Sequence, residues 1–256
     1  MRLAVCELPD GLELGSPTWL TFIERVGDLD PDLLVLNEMP LGDWIADRRG
    51  PNAAVAERFA KPYDELVKEL LSLPWATFGS RPVQRGELLA NEAFLVDEGH
   101  YRPVHHKQYF PQEAGWYEQD WFAPAINGFD VVDRGNVHIG ALLCTELMFN
   151  EWARHYRRRG ANVIAVPRAT GALDTKWRAA GAMAAVVSGC YVASSNRSAH
   201  EGTRPSQFGG GGFVFAPSGE LLAQTTASEP IAVVEVDLDL VVEAQRAYPS
   251  YVPEIG

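Results

Sequence analysis

Short β-rich runs alternate with longer helical patterns along this chain: RLAVCEL precedes SPTWLTFIERVGDL, LLVLNE precedes AAVAERFAKPYDELVKELLSL, and NVHIGALLC precedes LMFNEWARHYRRRG. This rhythm restricts the fold more than any other feature, because strands covered by helices on their faces read as apolar runs and assemble into layered α/β sheets. Ser16 and Pro17 suit the N-cap and first turn of a helix. Pro62 is expected to kink or split the second helical pattern, and Gly160 to close the third. NVIAVP and DTKWRAAGAMAAVVSG continue the alternation, and CYVASSN, GGFVFAP, ELLAQT and IAVVEVDL supply further strands. In the middle, WATFGSRPV, ELLANEAFLVD and YRPVHHK read as neighbouring antiparallel segments, followed by an aromatic-rich loop from Gln108 to Asn127 and a strand at FDVVD. No Ser/Gly linker or charged block interrupts the chain, so residues 1–256 are expected to form one domain. Two mixed sheets packed face to face with helices outside, a four-layer α-β-β-α sandwich, use this many strands best. The GGGG run at 209–212 lacks a following GK[ST] and reads as a flexible turn rather than a phosphate loop.

Composition narrows the function. The chain has 256 residues, 46% of them hydrophobic, enough for a substantial core. A formal net charge of −12 repels phosphate backbones and anionic lipid, which argues against nucleic acid and membrane surfaces as partners. The basic run Arg157, Arg158, Arg159 is explained by a solvated helix end. The first fifteen residues, broken by Glu7 and Asp10, are expected to be neither a signal peptide nor an anchor, and no stretch approaches the roughly 18 to 20 apolar residues of a membrane helix. Three cysteines without CxxC spacing point to a reduced, cytoplasmic protein. The six histidines include no HExxH, so no metal site is expected.

Three strands end in residues able to do chemistry. Cys144 closes VHIGALLC just before a helical pattern starting near Leu147, at the sheet edge where α/β proteins bind ligands. Taken alone it is equally a small buried residue. Glu38 closes LLVLNE and Lys107 closes YRPVHHK; each alone suits an ordinary solvated strand end. Together, a carboxylate, an ammonium and a thiol at three strand ends can converge on one edge.

In these segments the chain resembles the nitrilase, or carbon–nitrogen hydrolase, superfamily, whose catalytic Glu, Lys and Cys occur in this order. LLVLNE matches the segment of the general base, HHK that of the lysine, and LLCTELMFNE that of the nucleophile, with Phe149 and Glu151 at positions where members commonly carry an aromatic and a glutamate. YVASSN, FGGGGFVFAPSGELLAQT and VVEVDLDL resemble the family's C-terminal half. The resemblance implies a second active-site glutamate after the lysine; EQDWFAP points to Glu118, with Glu113 the alternative. The chain departs from the pattern at Asn37, where a proline is common before the base, and at AMAAVVSG, where an Arg-Ala and an acidic-amide pair are common.

The implied activity is hydrolysis of a small amide by a Glu–Lys–Cys set with no cofactor, the substrate a small molecule and the assembly a homodimer or higher homo-oligomer. Glu38 and Glu118 are expected to be ionised, Lys107 protonated, and Cys144 a resting thiol. Lys107 and the N–H of Thr145 face the developing oxyanion. Trp116 and Tyr117, with Trp121, either wall the pocket or pack the loop. Arg168 either binds an anionic substrate end or makes a surface salt bridge. Glu146 either caps the following helix or takes part directly. Leu147, Met148 and Phe149 stand where some carbamoyl-amino-acid hydrolases present arginines. A nitrilase and an N-carbamoyl amidohydrolase are the enzymatic alternatives, and a catalytically silent metabolite-binding protein on the same fold is the non-enzymatic one. The isochorismatase-like hydrolases fit less well, since their acid lies on the first strand, which here ends near Glu7.

Overall fold

The computed structural model describes residues 1–124, 128–171, 175–199 and 207–253. Its first part runs β1 (Arg2–Pro9), α1 (Pro17–Leu29), β2 (Leu33–Val35), α2 (Ala53–Ala60), α3 (Pro62–Leu70), then the strands β3 (Ala76–Arg85), β4 (Leu88–Asp97) and β5 (His100–His106). A small hairpin, β6 (Gln112–Glu113) and β7 (Trp116–Tyr117), leads into the single turn α4 (Glu118–Trp121). The second part runs β8 (Val132–Arg134), β9 (Val137–Ala141), α5 (Asn150–Arg158), β10 (Val163–Arg168), α6 (Thr175–Ser188) and β11 (Tyr191–Ser198). It closes with β12 (Phe213–Phe215), β13 (Leu221–Gln224), β14 (Ile231–Glu235) and α7 (Leu238–Arg246).

Local chemistry accounts for the helix boundaries. The Ser16 side chain accepts from Trp19 N–H and Pro17 opens α1. Pro62 splits the second helical pattern: α2 ends at Ala60 and α3 starts on the proline itself, whose missing N–H costs nothing in a first turn. Gly160 adopts φ +79, the left-handed conformation that ends α5. One boundary differs from the sequence reading. The segment after Cys144 is a 3₁₀ turn, Cys144–Met148, and α5 begins only at Asn150, so the dipole of the longer helix does not start at the thiol.

The strands form a large mixed α/β sheet. Its path is β5-β4-β3-β2-β1-β11-β10-β9-β8, with β14 added to β1 and β12, then β13, to β11. β1, β2 and β3 are parallel, as are β9, β10 and β11, whereas β3, β4 and β5 are antiparallel as the sequence predicted. β1 joins the halves: Leu3 to Val5 pair with β2, and Glu7 to Pro9 pair with Asn196 to Ser198 of β11.

Side-chain alternation then divides the core. Leu3, Val5, Val35 and Phe78 share one buried cluster with Ile139, Ala141, Val163 and Ala193 from the other half. Their sequence neighbours face outward: Ala4, Cys6 and Leu34 pack under Trp19 and Phe22 of α1 and Leu66 of α3. Ile164, Val166 and Val192 pack under Tyr156 of α5 and Ala184 of α6. Burial on both faces is why the runs are apolar without alternation.

The GGGG run is not the flexible turn expected. Its four N–H groups donate in order to Thr170 O, Arg197 O, a Glu7 carboxylate oxygen and Thr225 Oγ1, at 2.7–3.1 Å. Close approach explains the glycines here, since a Cβ on Gly210 would lie 2.7 Å from the Glu7 carboxylate.

Gly140 is a comparable fixed point, because a Cβ there would stand 2.5 Å from the ring of Tyr156, whose hydroxyl donates to Ala141 O at 2.6 Å. Gly140→Ala is therefore expected to destabilise the fold by about 1–3 kcal/mol through overpacking, measured as a lowered midpoint in thermal or urea denaturation.

Candidate active site

Glu38 lies just beyond β2, where its N–H donates to Arg168 O at 3.1 Å. The next residue, Met39, has φ 42, a conformation uncommon for a side-chain-bearing residue, and its N–H donates to Ser80 Oγ at 3.0 Å. The buried guanidinium of Arg197 bonds Met39 O, Gly42 O and the carboxylate of Asp10, fastening this turn from below. Cys144 is the other strained residue at the site, with φ 52 at the first position of its 3₁₀ turn. Both segments are thus held in backbone conformations that local preference alone does not select.

Lys107 follows β5, its N–H donating to Asn91 O at 2.9 Å. Rather than pointing to solvent as strand-end lysines usually do, its side chain is wholly buried between two carboxylates: Nζ is 2.8 Å from Glu38 Oε1 and 2.6 Å from Glu118 Oε2. Asn91 Nδ2 donates to the same Glu38 oxygen at 2.7 Å. The other carboxylate oxygens, Glu38 Oε2 and Glu118 Oε1, are buried and have no partner among the described residues. Glu113, the alternative second glutamate, is exposed on the β6–β7 hairpin.

The electrostatics follow from two carboxylates sharing one ammonium. Burial opposes the charge on Lys107, yet the neighbouring Glu118 and Glu38 hold its pKa well above the ordinary lysine value. Burial raises the Glu118 pKa to about 7; Lys107 opposes the rise and Glu38 adds to it. Burial thus works against the ionised Glu118 expected from the sequence, and Lys107 works for it. Burial, then the charge of Glu38, also pushes the Cys144 thiol well up, with Lys107 pulling the other way. Cys144, Glu38, Lys107 and Glu118 thus form one electrostatically coupled cluster, in which Cys144 rests as a thiol. The remaining cysteines are buried away from it, their thiols raised mainly by burial to about 12 at Cys6 and about 11 at Cys190.

Glu146 serves neither of its expected roles in simple form. Its Oε2 accepts from Leu143 N–H at 2.8 Å and its Oε1 from Gln108 N–H at 2.7 Å, while His105 Nε2 lies 2.9 Å from Oε2. One buried carboxylate thus ties the residue before Cys144 to the residue after Lys107. It caps the 3₁₀ turn rather than α5.

The other expected residues separate. Thr145 is half-buried in the turn beside Cys144. Trp116 packs on Trp44 and Phe208 at 6.0 and 5.5 Å between ring centroids, and Tyr117 lies under the guanidinium of Arg49. Trp121 is buried with its Nε1 donating to Arg48 O, which is loop packing. Arg168 does not lie at the surface: it is wholly buried, donating to Ser194 Oγ at 2.6 Å and Gly211 O at 2.8 Å, with Trp177 and Phe213 against its guanidinium. Asn37, where the family commonly has proline, buries an amide with no partner among the described residues. No group of three or more His, Cys, Asp or Glu side chains among the described residues could hold a metal ion. No helix among them is long and apolar enough to cross a membrane. Sequence reasoning missed Asn91, His105 and Arg197, whose only signal is a polar residue within a strand pattern.

The chain matches the carbon–nitrogen hydrolase family over residues 2–246. It belongs to that family. This carbon–nitrogen hydrolase is 28% identical over 215 residues to an N-carbamoylputrescine amidase of Arabidopsis thaliana, covering 74% of the chain and 71% of the relative. It is 30% identical over 167 residues to a nitrilase of Pyrococcus abyssi, covering 61% of the chain and 57% of that protein. Among solved structures, a carbon–nitrogen hydrolase from Helicobacter pylori superposes with TM-score 0.84 at 21% identity, covering 98% of this chain and 94% of the other, a likeness of fold.

Burial of Glu118 gives this hydrolase a pH signature. A carboxyl whose pKa rises from 4.5 to about 7 on folding binds its proton more tightly in the folded state, so its contribution to stability declines as pH rises through that interval. Relative to Glu118→Gln, wild type is expected to lose stability between those pH values, by about 3 kcal/mol in order of magnitude. Urea unfolding of both proteins across the interval measures it; parallel curves would show that Glu118 keeps its unfolded-state affinity for protons.

Proposed function

We propose that this carbon–nitrogen hydrolase is a cysteine-dependent amidase that converts a small amide to a carboxylic acid and ammonia or an amine, with Glu38, Lys107 and Cys144 catalytic and Glu118 supporting them. The observation that carries the reading is the ammonium of Lys107 between Glu38 and Glu118, each with one buried oxygen left without a partner among the described residues. Two of the three Nζ–H bonds are used there, and the third is available to a substrate oxygen.

In this scheme Glu38 Oε2 takes the thiol proton as Sγ attacks the carbonyl carbon. Negative charge moves to the substrate oxygen, where Lys107 Nζ and the N–H of Thr145 receive it; one such preorganised donor is typically worth roughly 3 kcal/mol. Glu38 then delivers the proton to the departing nitrogen, the C–N bond breaks, and an acyl thioester remains on Cys144. The same carboxylate activates water, which releases the acid and restores the thiol. No step calls for a metal or organic cofactor. In its ionised form Glu118 Oε1 accepts an N–H of the substrate amide. A nitrile has no such donor, which favours an amide or a carbamoyl group over a nitrile. Trp116, Tyr117 and Arg168 are proposed to shape the substrate site, Arg168 from beneath, since its guanidinium is engaged by Ser194 and Gly211.

The wider expectations join this proposal. Residues 1–256 form a single domain, and its architecture is a four-layer α-β-β-α sandwich, supported by the cluster shared between the inner faces of the two halves. The resemblance to the family supports a homodimer, and the three unpaired cysteines support a cytoplasmic location.

Intact-mass spectrometry during incubation with small amides, carbamoyl compounds and matched nitriles tests the reading. Wild type is expected to carry an acyl adduct that Cys144→Ala lacks, and to release ammonia from amides at least about tenfold faster than from nitriles. Adducts on Cys6 or Cys190, or preferential turnover of the nitriles, would overturn it.

A further inference from the structure

Asn91 sits within β4 opposite Pro82 of β3, and both ends of the residue reach the site. Its backbone carbonyl accepts from Lys107 N–H at 2.9 Å, and its Nδ2 donates to Glu38 Oε1 at 2.7 Å. The amide has only one chemically sensible orientation, because turning it over would set its carbonyl oxygen against the carboxylate. In that orientation Oδ1 is buried without a partner among the described residues. A buried carbonyl left unsatisfied costs stability, so packing alone does not favour an asparagine here.

The consequence falls on Glu38. With both Asn91 Nδ2 and Lys107 Nζ on Oε1, that oxygen is occupied and oriented, whereas Oε2 has no partner. We propose that Asn91 is a positioning residue that fixes the Glu38 carboxylate so that Oε2 alone takes the proton of Cys144, while its own carbonyl sets the register of Lys107. This deepens the amidase reading and rests on Glu38 being the base. The charged and titratable groups around that carboxylate are Lys107 from the end of β5, Glu118 from α4 and Cys144 from its turn. Asn91 is the neutral donor among them, able to hold the carboxylate's orientation without adding a charge.

The test does not require a known substrate. Alkylation of Cys144 by iodoacetamide, followed by intact mass across pH, reports how readily the thiol gives up its proton. Removing a donor from a carboxylate weakens its charged form, so the acid limb of the profile moves to higher pH. Asn91→Leu, close in volume but without a donor, is expected to alkylate about tenfold more slowly at neutral pH, with the limb raised by about one unit. Asn91→Ala is expected to behave in the same sense, so that poor folding of one variant leaves the other to decide. In a Glu38→Gln background Asn91→Leu is expected to add nothing, because the effect passes through the carboxylate. A wild-type profile in either Asn91 variant, or an equal slowing in both backgrounds, would overturn the assignment. Failure of the wild type to hydrolyse any amide or carbamoyl compound would count against the amidase reading, while the alkylation profiles would still decide the role of Asn91.

Discussion

One ammonium buried between two carboxylates is the constraint around which this molecule is organised. Removing three ionisable groups from water is costly, and their mutual attraction offsets that cost only where the geometry is good and the other polar atoms are satisfied. Lys107 meets the geometric condition at 2.8 and 2.6 Å from Glu38 and Glu118, whereas Glu38 Oε2 and Glu118 Oε1 have no partner among the described residues. The group nevertheless carries one carboxylate more than it can neutralise. That surplus explains why burial can raise Glu118 to about 7 and, with the charge of Glu38, keep Cys144 protonated. A thiolate beside this excess of negative charge is disfavoured.

Such a cluster can exist only if distant segments meet within a few tenths of an ångström, and the fold supplies this in two ways. Packing of the two halves against each other brings the ends of β2, β5 and β9 together, with Val35, Val104 and Ala141 sharing one buried cluster. Buried polar side chains then lock the turns beyond those ends. Arg197 grips the left-handed turn after Glu38, and Glu146 joins the strand end before Cys144 to the segment after Lys107. These groups hold strained backbone in place, which is how a structure keeps φ 42 at Met39 and φ 52 at Cys144.

Most of the architecture could be read from the sequence because its determinants are local. Apolar runs of strand length, Ser16 before Pro17, and Pro62 within a helical pattern each act within a few residues, and the corresponding elements formed where expected. The candidate site was legible for a different reason: Glu38, Lys107 and Cys144 each terminate a strand, and the order of those segments resembles a family. What remained hidden depends on pairs far apart in the chain. Glu146 looked like a cap for α5, but its partners include His105 and Gln108, 41 and 38 residues away. The run 209–212 looked flexible because glycine signals freedom; in the structure its N–H groups serve strand ends, one of them the carboxylate of Glu7, 204 residues earlier. Arg168 left both a surface salt bridge and a contact with an anionic substrate end open, and in the structure it is buried against Ser194 of β11 and the ring of Phe213.

Glu118 Oε1, without a partner among the described residues, suits an N–H donor, which amides and carbamoyl groups share. Selection between them must come from contacts with the rest of the substrate. Leu147 is buried, Phe149 stacks on Tyr109 at 4.1 Å and Met148 is exposed, so none of the three residues offers a charge to a ligand. Arg168 is committed to Ser194 and Gly211, and a charge already satisfied by the fold attracts an anionic substrate end less strongly than a solvated one. The physical bias of the site is therefore toward substrates whose recognition rests on the scissile amide and on shape.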